Sequence, residues 1–284
     1  MTRDIVIPPD TAVGMAMMSA AQTRRMIFFA GLPGVGKSLF LQQQTLMAAN
    51  AGRQVHLLQW DLARAAFESG EMLAKYPEID GFTHPLIRRA VGQWARRAVR
   101  QWDEEYADRT HLLIGEVPIV GNRFVELAQN QEDPAEALLN GEGTIFFVPV
   151  PSSGVRARIE EMRQASIANP KHANESRDAP INVLQQIWRE AREAAALLGL
   201  AADSATDYDP ETYARLFDHM LQHRNRRILA IDALYPAVGS VYELGAATSE
   251  IAAKPADAAT IVAELEAFND LVAISQSVEA WYDI

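Results

Sequence analysis

A three-layer α/β fold, with a mainly parallel five-stranded sheet and helices on both faces, is what this sequence predicts. Five short runs rich in β-branched and aromatic residues carry the expectation: Met26 to Ala30, Gln54 to Trp60, His111 to Ile114, Thr144 to Val150 and Arg227 to Ile231. They are four to seven residues long and almost wholly apolar, the pattern of strands buried on both faces. Long segments with helical spacing lie between them, and strands alternating with helices build parallel sheets. Composition agrees, since 284 residues that are 49% hydrophobic and 22% charged suffice for a full core.

Taken in order, residues 1–25 read as an N-terminal helical segment. Their opening, with an acid at position 4 and two prolines, lacks the basic start and apolar centre of a secretory signal. No run reaches the roughly 18 apolar residues of a membrane span. The chain has no cysteine, so disulfides, thiolate metal sites and cysteine nucleophiles are excluded, and a cytoplasmic location is expected. Ser38 to Asn50 reads as a helix closed by Gly52. From Thr83, the residues Ile87, Val91, Trp94, Ala98, Trp102 and Tyr106 form the stripe of an amphipathic helix. Arg88, Arg89, Arg96, Arg97 and Arg100 fall mostly off that stripe and read as a solvated face. Asn169 to Pro180, polar and bounded by prolines, reads as a mobile loop, and the alanine-rich tail from Ala246 reads as helical. The predicted organisation is a main domain over 26–240, with a substrate insert at 62–109 and a lid at 152–180, followed by a helical tail over 241–284.

A net charge of -11 and a pI near 5.1 argue against a nucleic-acid backbone as partner, because that requires a broad positive face. Any anion must be held locally, and residues 31–38 supply the place. Gly31-Leu32-Pro33-Gly34-Val35-Gly36-Lys37-Ser38 matches G-x-x-x-x-G-K-[ST] in full, after the apolar run "MIFFA" and before the helix that Leu39 continues. The glycines permit positive φ, so successive N–H groups can turn inward around phosphate oxygens. The helix start adds its positive end. Lys37 is placed to reach the β and γ phosphates of ATP, and the Ser38 hydroxyl to ligate Mg2+. A chance match in a chain of this length is about a one-in-a-hundred event. The fold expected is therefore a P-loop NTPase fold.

A carboxylate should face Ser38 across the metal. Glu116 ends "HLLIGE" and Asp232 ends "RILAID"; fold analogy favours Glu116. Asp61 follows the second apolar run, with Arg64 three residues on and so on the same helical face. Asp61 either accepts a substrate hydroxyl's proton, with Arg64 orienting an anion, or caps the next helix; the sequence leaves both open. Beyond the fourth run come Arg156, Arg158 and Arg163, then Lys171, His172 and Arg177. Cations that close over a migrating phosphoryl are what phosphoryl transfer requires, so this segment reads as a lid, with Arg156 and Arg158 as its catalytic groups. The alternative is that Arg156 pairs with Glu160 along the surface. Trp94, Trp102, Tyr76 and Phe82 are placed to stack a base, although aromatic stripes more commonly form core. His219 and His223, four apart and without a third ligand, read as surface residues.

This order of parts resembles the P-loop kinases of nucleosides and nucleoside monophosphates over Met26 to Tyr235, and looks most like the deoxynucleoside kinase branch. Glu116 matches that branch's strand-end glutamate, Arg123-Phe124 its Arg-aromatic pair on the following helix, and Arg156, Arg158, Glu160 and Glu161 its Arg-x-Arg-x-Glu-Glu lid. Val117-Pro118 stand where the branch has Arg-Ser. The resemblance implies an ATP- and Mg2+-dependent phosphotransferase with Asp61, Arg64 and Arg123 on the substrate side. The partner expected is a small-molecule phosphoryl acceptor, with no membrane and a homodimer left open. The alternatives are a P-loop ATPase acting on a protein partner and a nucleotide-binding protein without chemistry.

Overall fold

The computed structural model describes residues 4–79, 81–201, 207–236, 239–268 and 270–284, the side chain of Arg177 aside. The chain opens with α1 (Ala12–Thr23), whose N-cap Thr11 accepts from the Gly14 amide at 3.0 Å. β1 (Met26–Ala30), α2 (Lys37–Asn50) and β2 (Gln54–Leu58) follow, then the short α3 (Trp60–Arg64) and α4 (Gly70–Lys75) and the long α5 (Pro85–Glu105). β3 (His111–Val117) leads through a 3-10 turn (Val125–Leu127) and α6 (Glu136–Leu139) to β4 (Thr144–Pro151). α7 (Ser153–Ala168), α8 (Ile181–Leu197) and α9 (Pro210–Met220) precede β5 (Arg226–Ile231). β6 (Thr248–Ile251), α10 (Pro255–Phe268) and α11 (Leu271–Glu279) complete the described elements.

Among the described residues the sheet is six-stranded and all parallel, in the order β5-β4-β1-β3-β2-β6. The expected five strands are thus corrected to six. The sixth, "TSEI", falls in the tail that reads as helical, because a short, half-exposed edge strand paired only with β2 carries no apolar run to betray it. β6 extends the sheet, and α10 and α11 bury Ile261, Leu265, Ile274 and Val278 in the same core as α5. The run expected to end at Trp60 stops as a strand at Leu58, and Trp60 opens α3. Pro149 sits within β4 at no cost to the centre of the sheet, since β1 pairs with β4 only as far as Phe147.

Alternation along β1 divides the molecule into layers. Phe28 faces the core formed with α5, α8 and α9, stacking on Phe146 at 4.9 Å. Ile27 and Phe29 face the core formed with α1 and α2. Each such side chain is fully buried and contributes about 1.5–3 kcal/mol. Trp94 and Trp102 belong to the first core, at 5% and 2% exposure, so they pack and are not free to stack a base.

Two further expectations are corrected. Arg97 and Arg100 of α5 are exposed, but Arg96 is 2% exposed and ion-paired to Asp133 at 2.6 Å and Glu136 at 2.9 Å. Arg89 pairs with the fully buried Glu126, and Arg88 donates to the Gly121 carbonyl at 2.7 Å. The helix therefore has a second covered side, packed by the loop 119–136, which a single-stripe reading does not anticipate. The stretch 169–180 is pinned rather than loose: Lys171 and His172 amides donate to Glu175, and Asp178 accepts from Arg163 and from the Tyr242 hydroxyl. Among the described residues, no helix is long and apolar enough to cross a membrane.

Candidate functional site

β1 lies between β3 and β4, yet the chain leaves it for β2 and only later crosses from β3 to β4. The carboxyl end of β1 is therefore the topological switch point, the place where ligands of open parallel sheets bind. Residues 31–38 occupy it. Gly34 and Gly36 hold φ of +82° and +90°, a region closed to most side chains, so they set the turn. Gly36 is the N-cap of α2, and the Leu39 and Phe40 amides donate to its carbonyl. The Lys37 and Ser38 amides, as at any helix start, have no intrahelical acceptor.

Lys37 closes the loop into a ring. It is 7% exposed, and its Nζ donates to the carbonyls of Gly31 at 2.7 Å and Leu32 at 2.8 Å. Burial lowers its pKa to about 8; Glu116 opposes the shift, while Arg163, Arg123 and Arg156 add to it. Glu116 pairs in register with Phe29, and the Gly31 amide donates to the Val117 carbonyl, so the β1–β3 ladder fixes this carboxylate beside the loop. Burial raises its pKa, opposed chiefly by Lys37. Asp232 is exposed at the end of β5, the edge strand, with β4 between it and β1. Only Glu116 of the two candidates is brought to Lys37.

The lid segment divides by helical phase. Arg156 is 3% exposed, with Nε donating to Glu160 at 2.8 Å, its guanidinium 4.3 Å from the Tyr208 ring centre and Nη1 buried without a partner. The pair with Glu160 thus exists, but inside the protein and not along its surface. Arg163, seven residues on and so on the same face of α7, pairs with Asp178 at 2.6 Å and leaves Nε buried and unpartnered. Arg158 points outward at 68% exposure toward Glu161, and the structure does not bring it to the loop. The residue to couple with Arg156 is therefore Arg163, and the spacing of seven was the signal that identifies it. α7 and α8 lie over the loop: Ile159 would stand 3.9 Å from a Cβ on Gly36, and Leu184 3.1 Å from one on Gly34.

On the opposite side, Asp61 is 78% exposed in the first turn of α3 and bonded to Arg64 at 3.1 Å, as their spacing predicts. It is not the helix cap, because Gln59 holds that position. Arg64 also pairs with Glu68 at 3.0 Å. Arg123 stands in a tight turn after β3 and not on a helix, with Phe124 buried edge-on against Trp60. Pro33 and Leu39 are half-buried on the loop, Val35 buried beneath it. Tyr213, absent from the sequence-based set, is buried against the loop, its hydroxyl so close that a Cβ on Gly31 would meet it at 2.4 Å. Among the described residues, no group of three His, Asp or Glu side chains forms a metal cluster, so His219 and His223 stand without a third ligand.

In sum of charge, Glu116, Arg163, Arg123 and Arg156 all act on Lys37, in a protein of net charge -11. The arrangement can hold a highly charged anion against α2 with local groups alone. Compared with known proteins, the chain matches no family model, no curated protein and no solved structure.

Proposed function

We propose that this chain is an ATP- and Mg2+-dependent phosphotransferase of the P-loop kinase type, moving the γ-phosphoryl to a small-molecule acceptor such as a nucleoside or nucleotide. The observation that carries the reading is a buried lysine ringed by its own loop's carbonyls, with a strand-end glutamate and three arginines within electrostatic reach.

In this reading the amides of residues 34–38 and the Lys37 ammonium grip the triphosphate. Ser38 and Glu116 are hard oxygen donors beside that grip and fit Mg2+, which when bound neutralises charge on the phosphate oxygens. An acceptor oxygen bonds to the γ-phosphorus as the β–γ bridging O–P bond breaks, and ADP departs with that electron pair. A hydroxyl acceptor gives its proton to Asp61. Arg156 and Arg163, on one face of α7, balance charge on the migrating group. Because α7 and α8 cover the loop, nucleotide entry requires them to lift, and their return excludes water.

The test is ADP release measured across a panel of nucleosides, nucleotides and sugars. Acceptor-dependent ADP formation is expected. Brisk hydrolysis indifferent to every acceptor points to an ATPase serving a protein partner, and binding without turnover points to a non-catalytic nucleotide-binding protein.

A pH effect follows from Lys37. Its pKa of about 8 lies below the usual lysine value, so above that pH the free protein carries it neutral, and a bound triphosphate must restore the proton. Mg-ATP affinity is therefore expected to fall about tenfold between pH 7.5 and 9, read by calorimetry. A Kd that stays level over this range removes Lys37 from the phosphate grip. The sign is opposite for folding: the free protein gains stability as pH rises from about 8 toward 10.5, because only the unfolded chain keeps the proton there.

A further inference from the structure

β5 lies at one edge of the sheet, with β4 on its inner side. The carbonyls of Asn225 and Ile231 accept from the amides of Phe146 and Ser152, in and just past β4, so residues 225, 227, 229 and 231 turn their backbone groups inward. By alternation the amides and carbonyls of Arg226, Ile228 and Ala230 point away from the sheet, where among the described residues no further strand meets them.

An open row of this kind is a template for pairing with another chain, and natural sheets blunt it by keeping the edge short or charged along its length. β6, at the other edge, follows that rule with four residues, of which Ser249 and Glu250 are exposed. β5 does not. It has six residues, and its charges stand only at its start, Arg226 and Arg227, with Asp232 just past its end. The middle, Ile228-Leu229-Ala230-Ile231, is wholly apolar, and of the large apolar side chains in the described strands Ile228 alone is exposed, at 36%. Beside Ile228 a surface depression opens between β5 and α9, lined also by Leu200, Ala214 and His219. On the other face of the sheet β5 packs against α1, a helix of twelve residues without one charged side chain.

We propose that β5 is a homodimerisation edge, pairing antiparallel with β5 of a second copy so that the two six-stranded sheets become one continuous sheet. The strand is complementary to itself in that orientation. Residues whose backbone groups point the same way must stand opposite each other, which restricts the registers available about a two-fold axis. With Leu229 on the axis, Ile228 faces Ala230 of the second copy and Arg226 faces its Asp232. With Ala230 on the axis, Ile228 faces Asp232, and with Ile228 on the axis, Arg226 faces Ala230; each of these sets a charge against an apolar side chain. The first register is therefore the one assigned. It lays the arginine-bearing start of each strand along the acidic end of the other. Arg226 already holds Asp218 at 2.6 Å, and Arg227, exposed and without an ion pair among the described residues, supplies the balancing charge at the same end. β4 stands between this edge and β1, so the copies join away from residues 31–38.

The test is sedimentation equilibrium of the full chain without nucleotide, over about 1 to 200 µM, the range in which small interfaces dissociate. The mass is expected to climb from 31.4 kDa toward twice that value as concentration rises. Ile228→Lys sets a charge in the apolar middle of the edge, and Ala230→Pro removes an outward amide that no bond to β4 uses. Each is expected to raise the dissociation constant about 30-fold, with a melting temperature near the parent's at concentrations where both are monomeric. Because the chain has no cysteine, single cysteines report the register. Ile228→Cys mixed with Ala230→Cys is expected to give more disulfide-linked dimer than either variant alone, since facing residues of an antiparallel pair lie within disulfide reach. A mass that stays at 31.4 kDa throughout overturns self-pairing and leaves the edge to a different chain. A dimer indifferent to both Ile228→Lys and Ala230→Pro is built on another surface and overturns β5 as the interface. Ile228→Cys cross-linking by itself as readily as in the mixture overturns the register.

Discussion

Lys37→Ala is expected to weaken Mg-ATP binding about 100-fold and to lower acceptor-dependent turnover a further 10²–10³-fold, while leaving the melting temperature near that of the parent. Loss of one charged hydrogen-bonding group in a water-poor site accounts for about 3 kcal/mol of binding. The same group, aimed at charge that grows during transfer, accounts for the turnover loss. Stability behaves differently because two opposing effects meet on this residue. Alanine abandons the carbonyls of Gly31 and Leu32, but it also removes a cation whose pKa of about 8 marks a burial cost on the order of 3 kcal/mol. Calorimetric titration with Mg-ATP and a thermal melt separate the two. A variant that melts far below its parent yet binds nucleotide normally assigns Lys37 to folding alone.

Gly92→Ala is expected to lower the melting temperature by roughly 10 °C, although the same change on an exposed helix stabilises by up to about 1 kcal/mol. Gly92 lies inside α5, and a Cβ there would sit 1.7 Å from Glu126 Oε2 and 2.1 Å from its carboxyl carbon. Glu126 is fully buried, accepts from Asn122 at 3.1 Å and pairs with Arg89 at 3.2 Å; burial raises its pKa. Making room means breaking that pair, which costs about 3–5 kcal/mol for a buried charge. Double-variant analysis checks the cause: with Glu126→Ala already present, Gly92→Ala should add little further loss. A single variant as stable as its parent contradicts the close approach. The same change should loosen the turn that carries Arg123, because Glu126 follows it directly.

Much of the fold was legible because parallel strands buried on both faces must be written as continuous apolar runs. "MIFFA" and "TIFFVPV" admit little else, and all five runs prove to be strands. β6 was hidden for the converse reason, since an edge strand exposed on one side needs no such run. The half-buried Arg88 and the buried Arg96 were hidden because their cover comes from residues 119–136, distant in sequence from their own helix. At the site, the spacing of Asp61 and Arg64 correctly foretold their contact. Arg158 lies next to Arg156 along the chain but points outward, whereas Arg163, seven residues on, shares the inward face of α7.

The sequence by itself determined the parallel α/β framework, the loop 31–38 with its lysine, and the absence of any cysteine chemistry. These depend on local periodicity and on residue types that only one backbone geometry accommodates. Tertiary structure alone decided which acid stands beside Lys37, which face of α7 turns inward, and that Arg88 and Arg123 come together around Gly121. Those outcomes depend on strand order and on long-range packing: β3 lies against β1 while β5 sits at the edge, and no spacing along the chain encodes which neighbours a folded surface will bring to a buried charge.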